Sequence, residues 1–302
     1  MLLNDLISKG RKLLSALYPE GEANEIVFAY LEDIFGIRRH EHLLNPDYIL
    51  PCAETSLALT DFYRLAAGEP LQYVTGKAHF YGRQFKVCPD VLIPRQETEL
   101  LCHTVLTRSE RPAPSEKDLA ILDLCTGSGC IAWTLALEIP GSLVTAVDIS
   151  DGALQVASAQ DFIEEMDRIH AFKPRFVKAD VLKGPAGCMN IYHESDNLRR
   201  KFDIIVSNPP YVMDSEKFLM RTNVLDHEPH LALFVPDDDA LKFYVAVAQW
   251  AVELLAEDGA GIVEINEALG EQTADVFRKA GFPKVEILQD LHGKDRFVRF
   301  LR

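Results

Sequence analysis

Leu3, Leu6, Ile7, Leu13, Leu14 and Leu17 fall along one face of a helix with a 3.6-residue period, and Ile26, Val27, Tyr30, Leu31 and Ile34 along another. Residues 2 to about 68 therefore read as helices. A third helix is predicted over 55–67, stopped by Gly68 with Pro70 just beyond. At Ala78 the pattern changes. "AHFYGRQFKVCPDVLIPR" carries two short apolar stretches around Gly82, which predict a small β-hairpin. A helix over 96–108 follows, and then "RPAPSEKD", a polar connector with prolines.

Beyond it the chain becomes regular. "AILDL" is a strand, followed by a glycine turn and a helix through Leu137. "LVTAVD" is a second strand with a helix through Met166, "RFVKAD" a third strand and "DIIVSN" a fourth. A helix over 240–255, the strand "AGIVEIN", a helix over 269–280 and two closing strands near 285–288 and 296–301 complete the pattern. Strands alternating with helices predict a parallel α/β sheet. Residues 183–200 are polar and irregular, the mark of a surface insertion.

A length of 302 residues suits two domains. The change points divide the chain into a small helical domain (1–77), a hairpin connector (78–95) and an α/β domain (96–302). A net charge of −15 argues against gripping nucleic acid through phosphate neutralisation, which needs clustered Lys and Arg. No apolar run approaches the ~18 residues a membrane span needs. Lys9, Arg11 and Lys12 give the first helix a faint likeness to a transit peptide, but Asp5 and the continuing periodicity favour an ordinary helix. Six cysteines without a C-x-x-C pair suit reduced thiols better than disulfides or a zinc site. A soluble, cytoplasmic, monomeric protein is expected.

"LDLCTGSGC" sets Thr126, Gly127, Ser128 and Gly129 between a strand and a helix, where open sheets bind ligands. Asp148 ends the next strand and Asp180 the one after. A carboxylate at Asp148 can accept both hydroxyls of a ribose, or it can cap the following helix. Only Gly127 and Gly129 fit the dinucleotide fingerprint, and Ala132 stands at its third glycine position. A nucleoside-sulfonium ligand is thus favoured over NAD. "ILDLCTGSG", "AVD" and "NPPY", in this order at strand ends, resemble the class I S-adenosylmethionine-dependent methyltransferases. The resemblance implies a seven-stranded sheet with its last strand antiparallel. It also implies that Cys125, Thr126, Gly127, Ser128 and Gly129 wrap the methionine end, that Asp148 holds the ribose, and that Asp180 and Val181 flank the adenine. Position 125, often glycine in such enzymes, is Cys here.

The fourth strand runs into Asn208–Pro209–Pro210–Tyr211. Two prolines fix φ near −65° and remove two backbone donors. They also hold Asn208 and Pro209 extended, so the carbonyls of 207–210 are expected to point outward without local N–H partners. A planar –NH2 group can then donate to the Asn208 side-chain oxygen and to the Pro209 carbonyl, with Tyr211 stacked on its face. The catalytic candidates are Asn208, Pro209 and Tyr211. Pro210 joins them in holding substrate, and Asn208 also borders the cofactor. The simplest alternative is a rigid turn closing a core strand. His227 and His230 lack a third ligand, so no metal is expected.

The motif serves adenine N6, guanine N2 and glutamine amides alike. "PLQYVTGKAHFYG" with "VLIPRQETELL", "DHEPHLALFVPDDDALKFY" and "GKDRFVRF" resemble the release-factor glutamine N5-methyltransferase family (PrmC/HemK type) over nearly the whole chain. That family implies S-adenosylmethionine as methyl donor, the glutamine of a Gly-Gly-Gln loop in class I peptide chain release factors as acceptor, and a release-factor-docking role for the helical domain. Arg95, Glu97 and Thr98 are expected near the cofactor. The alternatives are a nucleic-acid adenine-N6 or guanine-N2 methyltransferase, which would need base flipping on a duplex, a ribosomal-protein glutamine methyltransferase, and a non-enzymatic release-factor-binding module.

Overall fold

The computed structural model describes residues 1–108, 119–188 and 201–302. The 111–118 connector and residues 189–200 of the expected insertion lie outside the described residues. Two compact units divide the chain. Met1–Ala78, Val87–Pro89 and Met220–Glu228 form the smaller, and His79–Lys86, Asp90–Leu219 and Pro229–Arg302 the larger.

In the smaller unit, α1 (Leu3–Leu14) buries Leu3, Leu6, Ile7 and Leu14, and α2 (Glu20–Phe35) buries Val27, Phe28, Tyr30 and Leu31. Gly36 ends α2 in the left-handed region at φ 68°, where its N–H satisfies the Glu32 carbonyl. A short turn of helix, α3 (Glu41–Leu44), precedes α4 (Cys52–Ala66) and α5 (Leu71–Thr75). The helices α1 and α4 approach closely at Gly10, where an added Cβ would lie 2.7 Å from the Phe62 ring.

Two details differ from the sequence expectation. The third helix starts three residues earlier than predicted because Pro51 sits at its N-cap, where a missing N–H costs nothing. Pro70 is not only a stop. It opens α5 in the same way.

The hairpin β1 (Lys77–Phe80) and β2 (Arg83–Lys86) turns at Tyr81 and Gly82, both with positive φ. After α6 (Gln96–Arg108) come β3 (Ala120–Leu124), α7 (Cys130–Glu138) and β4 (Leu143–Asp148). The single helix expected next is two, α8 (Asp151–Ser158) and α9 (Ile163–Ile169). Gln160 lies in the break, buried, with its Oε1 accepting from the Lys86 N–H at 2.8 Å and its Nε2 donating to the Lys86 carbonyl at 2.9 Å. A continuous helix would turn this side chain away from the strand edge it completes. The chain continues through β5 (Arg175–Lys178), β6 (Phe202–Ser207) and β7 (Val212–Met213). It then gives α10 (Thr222–His227) to the smaller unit and returns with β8 (Phe234–Val235), α11 (Lys242–Leu254), β9 (Leu255–Glu264), α12 (Gly270–Lys279), β10 (Lys284–Gln289) and β11 (Asp295–Leu301).

Seven strands form one sheet in the order β10-β11-β9-β6-β3-β4-β5. The last strand in the chain, β11, runs antiparallel to both neighbours, while β6, β3, β4, β5 and β9 pair in parallel. Every residue of β3 is buried, as expected for a central strand covered on both faces. Leu122, Leu124 and Ile205 face a core with Trp250 and Phe300, and Ile121, Ile204 and Val206 face one with Trp133 and Phe297. Each such side chain contributes roughly 1.5–3 kcal/mol on burial. The short parallel pair β7–β8 was not foreseen, since two-residue strands carry no periodicity.

Candidate functional site

Strand register sets the site. Leu124 of β3 pairs with Val147 of β4 and with Ser207 of β6, and Ser207 pairs in turn with Val263 of β9. The residues that follow these strands therefore meet along one carboxyl edge of the sheet. Cys125, Asp148, Asn208 and Glu264 occupy it, with Asp180 beyond β5. Ligands bind at such edges because the strand ends leave backbone groups and loops unpaired there.

The loop after β3 is tight. Cys125 has φ 63° and Gly127 φ 55°, both left-handed. This is the physical reason glycine suits position 125, since a side chain there meets steric strain. Thr126 is tied twice, its N–H to the Val147 carbonyl at 3.0 Å and its hydroxyl to Asp123 at 2.6 Å. Burial raises the Asp123 carboxyl to about 7, opposed by the Thr126 hydrogen bond and reinforced by the charge of Asp148. Burial likewise pushes the Cys125 thiol up, and the Cys130 thiol up to about 12, so both stay protonated near neutrality.

The two glycines differ. A Cβ on Gly127 would meet nothing within 4 Å, whereas one on Gly129 would lie 3.0 Å from Ala157 and 3.1 Å from Trp133. Gly127 thus leaves open space beside the loop, while Gly129 is required by packing. Ser128 is buried, and its carbonyl accepts from Gln160 at 3.2 Å.

Asp148 accepts from the Gly127 N–H at 2.8 Å through Oδ2 and from the Ser150 N–H at 2.9 Å through Oδ1. A carboxylate has about four acceptor positions, so one on each oxygen stays available. Burial raises its pKa, against the neighbouring backbone N–H groups of Ser150, Gly127 and Ile149, which lower it. Asp180 caps the short turn Val181–Lys183 through Leu182 N–H at 3.0 Å and pairs with Lys183 at 3.3 Å. Val181 packs in the core, and its carbonyl accepts from Trp250 at 2.9 Å. The open space at Gly127 and the acceptor pair of Asp148 fit a nucleoside with free ribose hydroxyls.

Beside this loop, Pro209 and Pro210 are buried and Asn208 is half-buried. Asn208 Nδ2 donates to Thr98 Oγ1 at 3.0 Å, Thr98 Oγ1 donates to Glu264 Oε2 at 2.8 Å, and Tyr211 Oη donates to Glu264 Oε1 at 3.0 Å. Among the described residues, neither Asn208 Oδ1 nor the Pro209 carbonyl has a hydrogen-bond donor. Asn266 Nδ2 steadies the turn through the Tyr211 carbonyl at 3.3 Å. Burial raises the Glu264 carboxyl, against the hydrogen bonds of Thr98 and Tyr211 and the charge of Arg296. Of the three residues expected near the cofactor, Thr98 joins this network and Glu97 is exposed.

Sequence reasoning passed over Glu264, because a lone Glu at the end of an apolar strand carries no motif. Its signal is an acidic residue in a run otherwise suited to full burial. Among the described residues, no three His, Cys, Asp or Glu side chains could hold a metal ion, and no helix is long and apolar enough to cross a membrane.

A seven-stranded sheet with its last strand reversed, a glycine turn after its central strand and carboxylates after the next two define the class I methyltransferase architecture. Residues 5–76 match the PrmC N-terminal domain and residues 98–228 the methyltransferase small domain. The chain is 34% identical over 299 residues to the release factor glutamine methyltransferase of Flavobacterium psychrophilum, an alignment covering 99% of each chain. It is 36% identical to that of Bacteroides thetaiotaomicron over 98% of this chain and 99% of the relative. It is 40% identical to that of Bacillus subtilis over 76% of this chain and 75% of the relative. The chain belongs to the release factor glutamine methyltransferase family, whose members take their methyl group from S-adenosylmethionine.

Proposed function

We propose that the protein methylates the side-chain amide nitrogen, N5, of the glutamine in the Gly-Gly-Gln loop of class I peptide chain release factors. The observation that carries this is the pair of unpartnered acceptors, Asn208 Oδ1 and the Pro209 carbonyl, beside the open space at Gly127. A primary amide has two N–H donors in one plane, and two fixed acceptors at a rigid turn match them. The names of the relatives turn this general amide site towards a release factor.

Cys125 to Gly129, Asp148, Asp180, Val181 and Asn208 would hold S-adenosylmethionine, which when bound supplies an electrophilic methyl group on sulfonium sulfur. The protein's own task is alignment. Asn208 and Pro209 orient the nitrogen, and Pro210 keeps the turn rigid. Tyr211 offers its ring face while its hydroxyl is pinned to Glu264. Proximity of this kind supplies roughly 7–11 kcal/mol in well-oriented cases. Methylation forms one N–C bond, breaks one S–C bond and releases one proton from the amide nitrogen.

In this reading residues 1–77 dock the release factor, 78–95 connect, and 96–302 carry the chemistry, in a cytoplasmic monomer. Support comes from the two family models, which match 5–76 and 98–228 separately. The test is transfer of a labelled methyl group to an intact release factor and to one whose loop glutamine is replaced. Label on the first alone is expected. Label on DNA, rRNA or a ribosomal protein instead would overturn the reading.

A further inference from the structure

Glu264 has no part in the chemistry described so far, yet it lies at the centre of the site. It is 1% exposed, at the carboxyl end of β9, and the register that pairs Val263 with Ser207 sets it beside Asn208. Its two oxygens each take one hydroxyl, Thr98 at 2.8 Å and Tyr211 at 3.0 Å. Thr98, 2% exposed, is also the partner of the Asn208 amide at 3.0 Å.

With Glu264 ionised, proton counting fixes every direction in this chain. A carboxylate has no proton to give, so the one hydroxyl proton of Thr98 must go to Glu264. The Thr98 oxygen can then only accept, and the Asn208 group facing it must be the –NH2. Asn208 Oδ1 is thereby turned outward. Were the Thr98 proton released, the hydroxyl could equally donate to Asn208, and the amide would turn its oxygen inward at no cost in shape.

We propose that Glu264 is a positioning residue which, acting through Thr98 and Tyr211, holds the Asn208 amide with its oxygen towards the substrate nitrogen. This rests on the reading of Asn208 as a substrate acceptor. The second arm pins Tyr211, so both side chains that flank the substrate amide answer to one buried carboxylate.

The device needs Glu264 ionised. Burial is the largest influence and opposes the charged form, as does Glu97 of α6, whereas the hydrogen bonds of Thr98 and Tyr211 and the charge of Arg296 of β11 favour it, with the Tyr244 hydroxyl of α11 also nearby. Protonation gives the carboxyl a donor and removes the direction, so turnover gains an acid limb that follows Glu264.

The experiment measures labelled-methyl transfer to an intact release factor at saturating S-adenosylmethionine, for wild type, Glu264→Gln, Thr98→Val and the double variant. Thermal unfolding and S-adenosylmethionine binding are followed in parallel. Glu264→Gln is expected to lower kcat roughly 10²-fold, the scale of a 1 Å misplacement, with cofactor affinity kept and the acid limb abolished. Because both residues act along one chain, the double variant should be no more than about twofold slower than the slower single. A kcat near wild type for Glu264→Gln, or losses that multiply, would overturn the inference. If Glu264→Gln does not fold, Thr98→Ser against Thr98→Val decides it: Ser must restore the rate that Val loses. Wild type failing to label the release factor would instead sink the functional reading.

Discussion

Asp148 holds the loop it faces: its Oδ2 accepts the Gly127 N–H at 2.8 Å, while Oδ1 accepts that of Ser150 at 2.9 Å. The cap of the following helix is Ser150, whose Oγ accepts the Ala153 N–H at 3.2 Å, so Asp148 braces the loop instead and keeps a lone pair on each oxygen for a ribose hydroxyl. A hydrogen bond to a charged group contributes about 1.5–3 kcal/mol, and 1.4 kcal/mol is tenfold in affinity. Asp148→Ala should weaken S-adenosylmethionine binding at least tenfold by titration calorimetry. It should also lower the unfolding temperature, since Gly127 and Ser150 lose their acceptor.

The glycines should separate under substitution. Gly129→Ala sets a left-handed residue at φ 79° against Ala157, Trp133 and Phe176. Strain of about 1–2 kcal/mol adds to overpacking of about 1–3 kcal/mol, so its unfolding temperature should fall by several degrees. Gly127→Ala meets no protein atom. It should lose only about 1–2 kcal/mol of stability from its backbone, with the larger effect on cofactor affinity. Equal stability losses in the two variants would contradict the distinction.

Asn208→Ala removes both the tie to Thr98 and the outward oxygen. Turnover should fall roughly 10²-fold or more with the fold and cofactor affinity intact, because misplacing the reacting nitrogen by about 1 Å has that effect. Near-normal single-turnover rates would show that the two acceptors do not hold the substrate.

Asp123 gives a pH dependence with a definite sign. Its carboxyl is raised to about 7 in the folded chain by burial, against about 3.9 unfolded. Between these values the native state holds a proton that the unfolded state has released. Its share of stability is thus full below about pH 4 and lost as pH rises towards 7. Asp123→Asn keeps an oxygen for Thr126 and cannot ionise. Unfolding scans should show the variant gaining on wild type as pH rises from about 4 to 7, then holding level. A constant difference across that range would mean that Asp123 does not titrate there.

Much of the sheet was legible because central parallel strands are apolar on both faces: "AILDL" and "LVTAVD" were bounded to the residue. The glycine turn and Asn208–Tyr211 were legible because glycine and proline restrict the backbone whatever surrounds them. The split between α8 and α9 was not, because Gln160 breaks the helix for a partner, Lys86, far away in sequence. Nor were the separate duties of Gly127 and Gly129, which follow from what lies opposite each one.

By itself the sequence determined the chain order of the seven strands of the large sheet, the strand ends expected to carry chemistry and the proline-stiffened turn at Asn208, since these rest on local periodicity and on φ. Only the tertiary structure decided which way those groups face. Thr98 reaches Glu264 across a separation of 166 residues. The direction of a hydrogen bond depends on which partner lacks a proton, and the fold alone brings those partners together.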